Sequence, residues 1–135
     1  MRTRLLVFLL VALSVTVLAA CEPPVAPPPA PDPTPTVVND FLVFEVQANQ
    51  NEFIPNEFVV PANQAVIFMM TSVDDLHTFT VKRDEDAEED LFDLQVLAGF
   101  TDEVTYTFEE PGDYYLYCRF HEQDGMVGTI RVVEE

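Results

Sequence analysis

Residues 110–133 read EPGDYYLYCRFHEQDGMVGTIRVV, and this stretch decides the fold. Glu110-Pro111-Gly112-Asp113 is a strong turn signal, because proline presets φ and glycine tolerates the reversal. Beyond it, Tyr114, Leu116 and Cys118 alternate with Tyr115 and Tyr117, the period of two of a strand with one face on a core. At the far end Met126 shares parity with Gly128, Ile130 and Val132. Two strands therefore flank the loop Cys118-Arg119-Phe120-His121-Glu122-Gln123-Asp124-Gly125-Met126, and both Cys118 and Met126 take the inward parity.

The same short alternation recurs upstream. Phe41–Ala48 places Leu42, Phe44, Val46 and Ala48 on one face. Glu57–Val60 is brief and stops at Pro61, and Gln64–Thr71 is strongly apolar, with Met69 and Met70 expected as core filler. His77, Phe79 and Val81 share a face, as do Val104, Tyr106 and Phe108. No stretch past residue 36 carries the 3.6-residue period of an amphipathic helix. Seven or eight short strands separated by turn signals predict an all-β fold, an antiparallel Greek-key β-sandwich. The segment 84–99 is ambiguous: Asp84–Asp90 reads as a solvated acidic run, and Leu91–Leu97 fits a strand or one helical turn.

The loop between the last two strands carries the chemistry. Cys, two residues, His, four residues and Met bring together thiolate, imidazole and thioether, the soft to borderline donors that copper prefers. Two His and one Cys in a near-trigonal plane with a weak axial Met make a blue-copper site. The loop offers one His, so the second must come from elsewhere, and the chain has only His77 besides His121. The expected metal ligands are thus His77, Cys118, His121 and Met126, holding one copper ion that cycles between Cu(I) and Cu(II). Singly, a buried Cys, a core Met and an inward His are ordinary packing residues.

These motifs resemble the small cupredoxins of the plastocyanin kind. The matching features are Asp75-Leu76-His77-Thr78-Phe79-Thr80-Val81, then Glu110 through Cys118, then His121 through Val132. The resemblance implies a cupredoxin-like sandwich in which the upstream His binds from its own strand and the loop Cys, His and Met complete the site. It also implies that His121 lies near the surface and passes electrons out, with Phe120 and the residues beside Met126 as an apolar docking patch. Two departures stand out. Many relatives carry Asn after the upstream His, where this chain has Thr78, whose hydroxyl makes a similar hydrogen bond with less reach. The ligand loop also lacks the proline that some relatives place beside the downstream His.

The residues exclude several copper chemistries. Multicopper oxidases route electrons through histidines flanking the Cys, and here the flanks are Tyr117 and Arg119. A binuclear centre of the oxidase-subunit kind needs two loop cysteines, and only one is present. With both histidines assigned, no nucleophile–base pair remains, so no enzyme is expected. One-electron transfer is the function the sequence favours. The alternatives are a copper-binding or delivery protein without an electron-transfer role, and a domain that only binds a protein partner.

Residues 1–20 read as a secretory leader. Arg2 and Arg4 precede an apolar run of 14 residues, Leu5–Leu18, shorter than the roughly 20 needed to span a bilayer. Leu18-Ala19-Ala20-Cys21 resembles the lipobox of bacterial lipoproteins, which implies lipidation of Cys21 and a membrane anchor. Eight prolines follow between Glu22 and Thr36, a composition that favours extended polyproline II over helix or sheet. The expected organisation is leader 1–20, lipidated Cys and proline-rich tether 21–36, and a copper-binding domain 37–135. The expected location is outside the cytoplasm, on a membrane, in the periplasm or on the outer cell surface. With 24 acidic and 6 basic side chains, the formal charge is −18, and loss of Arg2 and Arg4 would take it two units lower. Such charge excludes nucleic acid and bare anionic lipid as partners and suits steering toward a basic one. The expected partners are redox proteins, such as a basic cytochrome or a membrane redox complex, and the expected state is a monomer. The Asp84–Asp90 run is a candidate steering patch or a solvated loop.

Overall fold

Every alternating run of the sequence is a strand in the computed structural model, which describes residues 34–134. In chain order the strands are β1 (Thr36–Val38), β2 (Phe41–Asn49), β3 (Glu52–Ile54), β4 (Glu57–Pro61), β5 (Ala65–Ser72), β6 (His77–Lys82), β7 (Asp90–Val96), β8 (Thr101–Thr107), β9 (Gly112–Tyr117) and β10 (Val127–Val133). A 3₁₀ turn, Glu122–Asp124, sits in the loop before β10. One sheet has the order β1-β2-β5-β8, with β3 also paired to β2, and the other has the order β4-β10-β9-β6-β7. The two sheets pack as a sandwich.

The all-β sandwich is as the sequence predicts, with two differences in detail. Among the described residues there are ten strands rather than seven or eight, because β1 and β3 span three residues each, too few for alternation to register. The ambiguous segment resolves as β7, the edge partner of β6. The sheets are also mixed rather than antiparallel, since β2 pairs parallel with β5 and β4 pairs parallel with β10. Side-chain period reveals which face a residue takes but not strand direction. The chain between β2 and β5 visits the other sheet as β4, and such a crossover returns a strand in parallel.

Inward-facing aromatic rings hold the sheets together. Phe68 of β5 lies 5.0 Å from Phe79 of β6 and 5.5 Å from both Phe44 and Phe58, ring centroid to centroid. Phe53 of β3 reaches Phe79 at 5.6 Å, and Phe108 meets Tyr114 at 4.9 Å. Tyr114 donates its hydroxyl to the Glu110 carbonyl at 2.8 Å, tying down the Glu110–Gly112 turn. Met70 is in this core, whereas Met69 has the opposite parity on β5 and is only half-buried, so it is not core filler.

Two glycines fix the end of the sandwich that carries the ligand loop. A Cβ on Gly128 would lie 2.4 Å from the Asn56 carbonyl oxygen, so only glycine lets β10 approach the chain before β4, where Thr129 N–H bonds that same oxygen. Gly125 closes the 3₁₀ turn at φ 89°, a conformation costly for residues with a side chain.

Phe68→Ala removes the ring shared by both sheets. It is expected to cost about 3–5 kcal/mol, read as a lower denaturant midpoint with an unchanged slope. A loss below about 1 kcal/mol would mean that the core collapses around the gap.

Candidate metal centre

Three strand ends converge at one end of the sandwich. His77 is the first residue of β6, Cys118 follows β9 directly, and Met126 precedes β10. Because Val127 pairs with Tyr117, the next positions outward are Cys118 and Met126, and Cys118 N–H bonds the Met126 carbonyl at 3.1 Å. The loop they bracket is braced internally. His121 N–H bonds the Cys118 carbonyl, and the His121 carbonyl takes N–H groups from Asp124 and Met126, all at 3.0–3.1 Å.

This brings together three of the four sequence-predicted ligands. The donor atoms of His77, Cys118 and His121 all lie within 4.8 Å of one another. Cys118 Sγ is 3.9 Å from His77 Nδ1 and 3.5 Å from His121 Nδ1, and the two imidazole centroids are 4.9 Å apart. Cys118, His77 and Met126 are buried, while His121 is half-exposed. Met126 is placed by its main-chain bonds to Cys118 and His121. Cys21 lies outside the described residues.

Residues 42–133 match the copper-binding proteins of the plastocyanin/azurin family. The chain belongs to that family. Its cofactor is copper, and the donors fit: a buried sulfur flanked by two imidazole nitrogens is a set suited to that metal. Over 84 residues the chain is 36% identical to cytochrome c oxidase subunit 2 of Thermus thermophilus, covering 59% of this chain and 57% of that one. Over 88 residues it is 36% identical to the minor plastocyanin isoform of Arabidopsis thaliana chloroplasts, covering 59% and 50%. The chain thus spans about half the length of the curated relatives it matches. Among solved structures, reduced auracyanin from the photosynthetic bacterium Roseiflexus castenholzii shares the fold, with a TM-score of 0.60 at 18% identity over 67% of this chain and 96% of that one.

This cupredoxin departs from relatives with Asn by placing Thr78 beside the upstream His, and its geometry shows how threonine serves. The β6–β9 ladder runs from Lys82–Tyr115 to Thr80–Tyr117 and then stops, because the chain at Cys118 turns into the loop. Thr78 bridges the gap in both directions. Its N–H points at Cys118 Sγ at 3.4 Å, and its hydroxyl oxygen accepts Arg119 N–H at 2.9 Å. A hydroxyl has one proton. Thr80 must give its own to the Asp93 carboxylate, 2.5 Å away, so Thr78 donates to Thr80 at 2.9 Å. Arg119 Nε–H reaches the same Asp93 oxygen at 3.2 Å and closes the ring. Thr78 and Thr80, both fully buried, are thereby satisfied.

Sequence reasoning missed three features. Asp93 sits on β7 and Arg119 in the ligand loop, and they meet only through the fold. Asp90, assigned to the solvated run, instead starts β7 and accepts the Tyr117 hydroxyl at 2.8 Å and Arg119 Nη2 at 2.6 Å. Asp74, three residues before His77, lies 2.9 Å from His77 Nε2. Its spacing to His77 was a visible signal, but on a loop that spacing carries no periodicity to interpret.

Tyr115 and Tyr117 stack at 5.7 Å on the outer face of β9, with Lys82 Nζ 4.8 Å from the Tyr117 ring. Burial pushes the Tyr115 phenol up to about 12, helped by the Glu122 carboxylate. Burial also pushes Tyr117 up to about 12, helped by its bond to Asp90. A raised folded value means that the unfolded chain loses these protons first. Their stabilisation is complete below about pH 10, the unfolded tyrosine value, and is lost as pH rises toward 12. Denaturant midpoints are expected to fall across that window, and Tyr117→Phe should make the fall shallower. An equal slope in the variant would remove Tyr117 from the account.

Thr78→Val keeps the shape but leaves Arg119 N–H and the Thr80 oxygen without their partner. The expected cost is about 1–3 kcal/mol in denaturant unfolding, with Asp93→Asn less damaging because its amide oxygen still accepts.

Proposed function

We propose that this protein is a one-electron carrier with a mononuclear blue-copper site that His77, Cys118, His121 and Met126 would hold. The observation that carries this reading is the placement of Cys118 Sγ between two imidazole Nδ1 atoms, at 3.9 and 3.5 Å. Copper held there supplies one electron per Cu(I)/Cu(II) cycle. The chain's own residues do the rest. Thr78 N–H and the braced loop fix the sulfur, so the donor positions change little between redox states. Burial of Cys118 and Met126 keeps water from the thiolate and thioether.

His121 is the natural exit for the electron, since it alone of the three converging donors reaches solvent. The apolar side chains around that end extend the patch the sequence suggested. Phe120 is in the ligand loop, and Leu97 follows Val96, the partner of His77. Phe100 bonds through its carbonyl to Ser72 N–H at the end of β5. All three are more than half exposed, and such a rim suits the small, transient contact of an electron-transfer partner. That partner is a redox protein, a basic cytochrome or a membrane redox complex. Asp84 and the following acids contribute steering at most, because Asp90 is engaged by Arg119 and Tyr117. Lipidation of Cys21 and the proline-rich tether would place the domain outside the cytoplasm at a membrane surface. The case for that rests on the sequence of residues 1–36.

Stoichiometric Cu(II) added to purified apoprotein is expected to give an intense visible thiolate-to-copper band and narrow hyperfine splitting in electron paramagnetic resonance. Both should vanish in Cys118→Ser. Pale but tightly bound Cu(II) would instead favour copper storage or delivery.

A further inference from the structure

The two ring nitrogens of His77 point to different parts of the molecule. Nδ1 faces Cys118 Sγ, and Nε2 lies 2.9 Å from Asp74 Oδ1. The imidazole is only 1% exposed, so a carboxylate takes the place that water would otherwise occupy. Asp74 does not swing freely. Its second oxygen accepts Gln50 N–H at 2.8 Å, from the tight turn between β2 and β3 where Gln50 and Asn51 both have positive φ. The carboxylate therefore links a turn of one sheet to the buried imidazole of the other. Burial pushes the Asp74 carboxyl up, but the bonds from His77 and Gln50 outweigh it and hold the group below its usual value. Among the described residues His121 has no carboxylate within ion-pair distance, so the arrangement is particular to the buried imidazole.

An imidazole that offers Nδ1 to a metal carries its proton on Nε2, and Asp74 is then an obligatory acceptor. A carboxylate in that position fixes the tautomer and the ring angle and raises the donor strength of the other nitrogen. Its negative charge also acts across one ring on whatever charge sits at Nδ1. The oxidised ion carries one more positive charge than the reduced one, so the carboxylate favours Cu(II) over Cu(I).

We propose that Asp74 is a positioning residue that orients His77 and lowers the reduction potential of the copper site. This rests on the blue-copper reading above. Asp74→Asn keeps an acceptor oxygen of the same reach and removes the charge. It is expected to keep the thiolate-to-copper band and to shift the ratio of Cu(I) to Cu(II) affinity about tenfold toward Cu(I), a rise of about 59 mV for a one-electron couple. Asp74→Glu, which retains the charge, should stay closer to wild type than Asp74→Asn. Glu45→Gln, which removes an exposed acid from the middle of β2, should leave the potential unchanged.

Spectroelectrochemical titration of the four copper-loaded proteins decides the matter. An Asp74→Asn potential within twofold of wild type in affinity ratio, or one matched by Glu45→Gln, overturns the proposal. So does an Asp74→Glu protein that rises as far as Asp74→Asn. If Asp74→Asn does not fold, Asp74→Gln measured against Asp74→Glu stands in, since the two differ only in charge: a higher potential in Asp74→Gln supports the charge account, and equal potentials overturn it. A wild-type protein without the visible band overturns the copper reading and takes this proposal with it, whereas a blue wild type with an unmoved Asp74→Asn overturns the proposal alone.

Discussion

Strand β6 is buried on both faces, and the architecture of the site follows from that constraint. Its inward side chains, His77, Phe79 and Val81, meet the aromatic core. Its outward ones, Thr78 and Thr80, would be solvent-exposed in an ordinary sandwich strand, yet both are fully buried. Burying two hydroxyls costs free energy unless each finds partners. The ring of bonds through Thr78, Thr80, Asp93 and Arg119 supplies those partners, and Arg119 and Asp93 are the side chains that cover this face. The strand that delivers His77 is therefore joined to the residue after Cys118 by bonds that cannot be dropped cheaply.

The same constraint explains why the sulfur has a defined position. A regular β6–β9 ladder would have used Thr78 N–H to bond the opposite strand. Because the chain leaves the ladder at Cys118, that N–H is free to meet Sγ, and the lost backbone bond to Arg119 N–H is replaced by the Thr78 hydroxyl. A single residue thus repairs the ladder and orients the thiol. Asn does comparable work in relatives with a longer amide arm. Threonine, one atom shorter, succeeds here because Thr80 and Asp93 lie in line behind it to complete the chain of donors.

Much of this was legible in the sequence, for reasons that are local. The period of two assigned inward faces correctly to Phe44, Val46, Leu116, Ile130 and Val132. The spacing from Cys118 to His121 to Met126 identified the loop, and scarcity pointed to His77. What could not be read was anything carried by strand order or direction. The parallel pairing of β2 with β5 leaves no trace in side-chain period, and three-residue strands have no period at all. Asp90 looked like the end of a solvated acidic run, and Asp93 lay in a segment that fitted a strand or a helical turn equally. Only the pairing of β7 with β6 shows that they face Arg119 and Tyr117. Asp74 is hidden for the same reason, since its second contact comes from Gln50 in the other sheet.

The two imidazoles are asymmetric, and on the electron-carrier reading this asymmetry divides the labour. His77 is sealed in the core, with a carboxylate behind it and the turn at Gln50 holding that carboxylate. The carboxylate itself is 38% exposed and water screens part of its charge, but its path to the metal runs through a ring from which water is excluded. Among the described residues half-exposed His121 has no carboxylate partner, and Phe120, Leu97 and Phe100 are exposed at the same end of the sandwich. A carboxylate in that position would be desolvated each time a partner docked, at a cost in affinity. An apolar rim imposes no such cost and lets a partner approach the imidazole edge closely. The strongly acidic remainder of the surface then acts only at longer range, where salt screens it and where it biases approach rather than fit. Tuning from the inside and contact from the outside are thus assigned to different ligands, so either can change by mutation without disturbing the other.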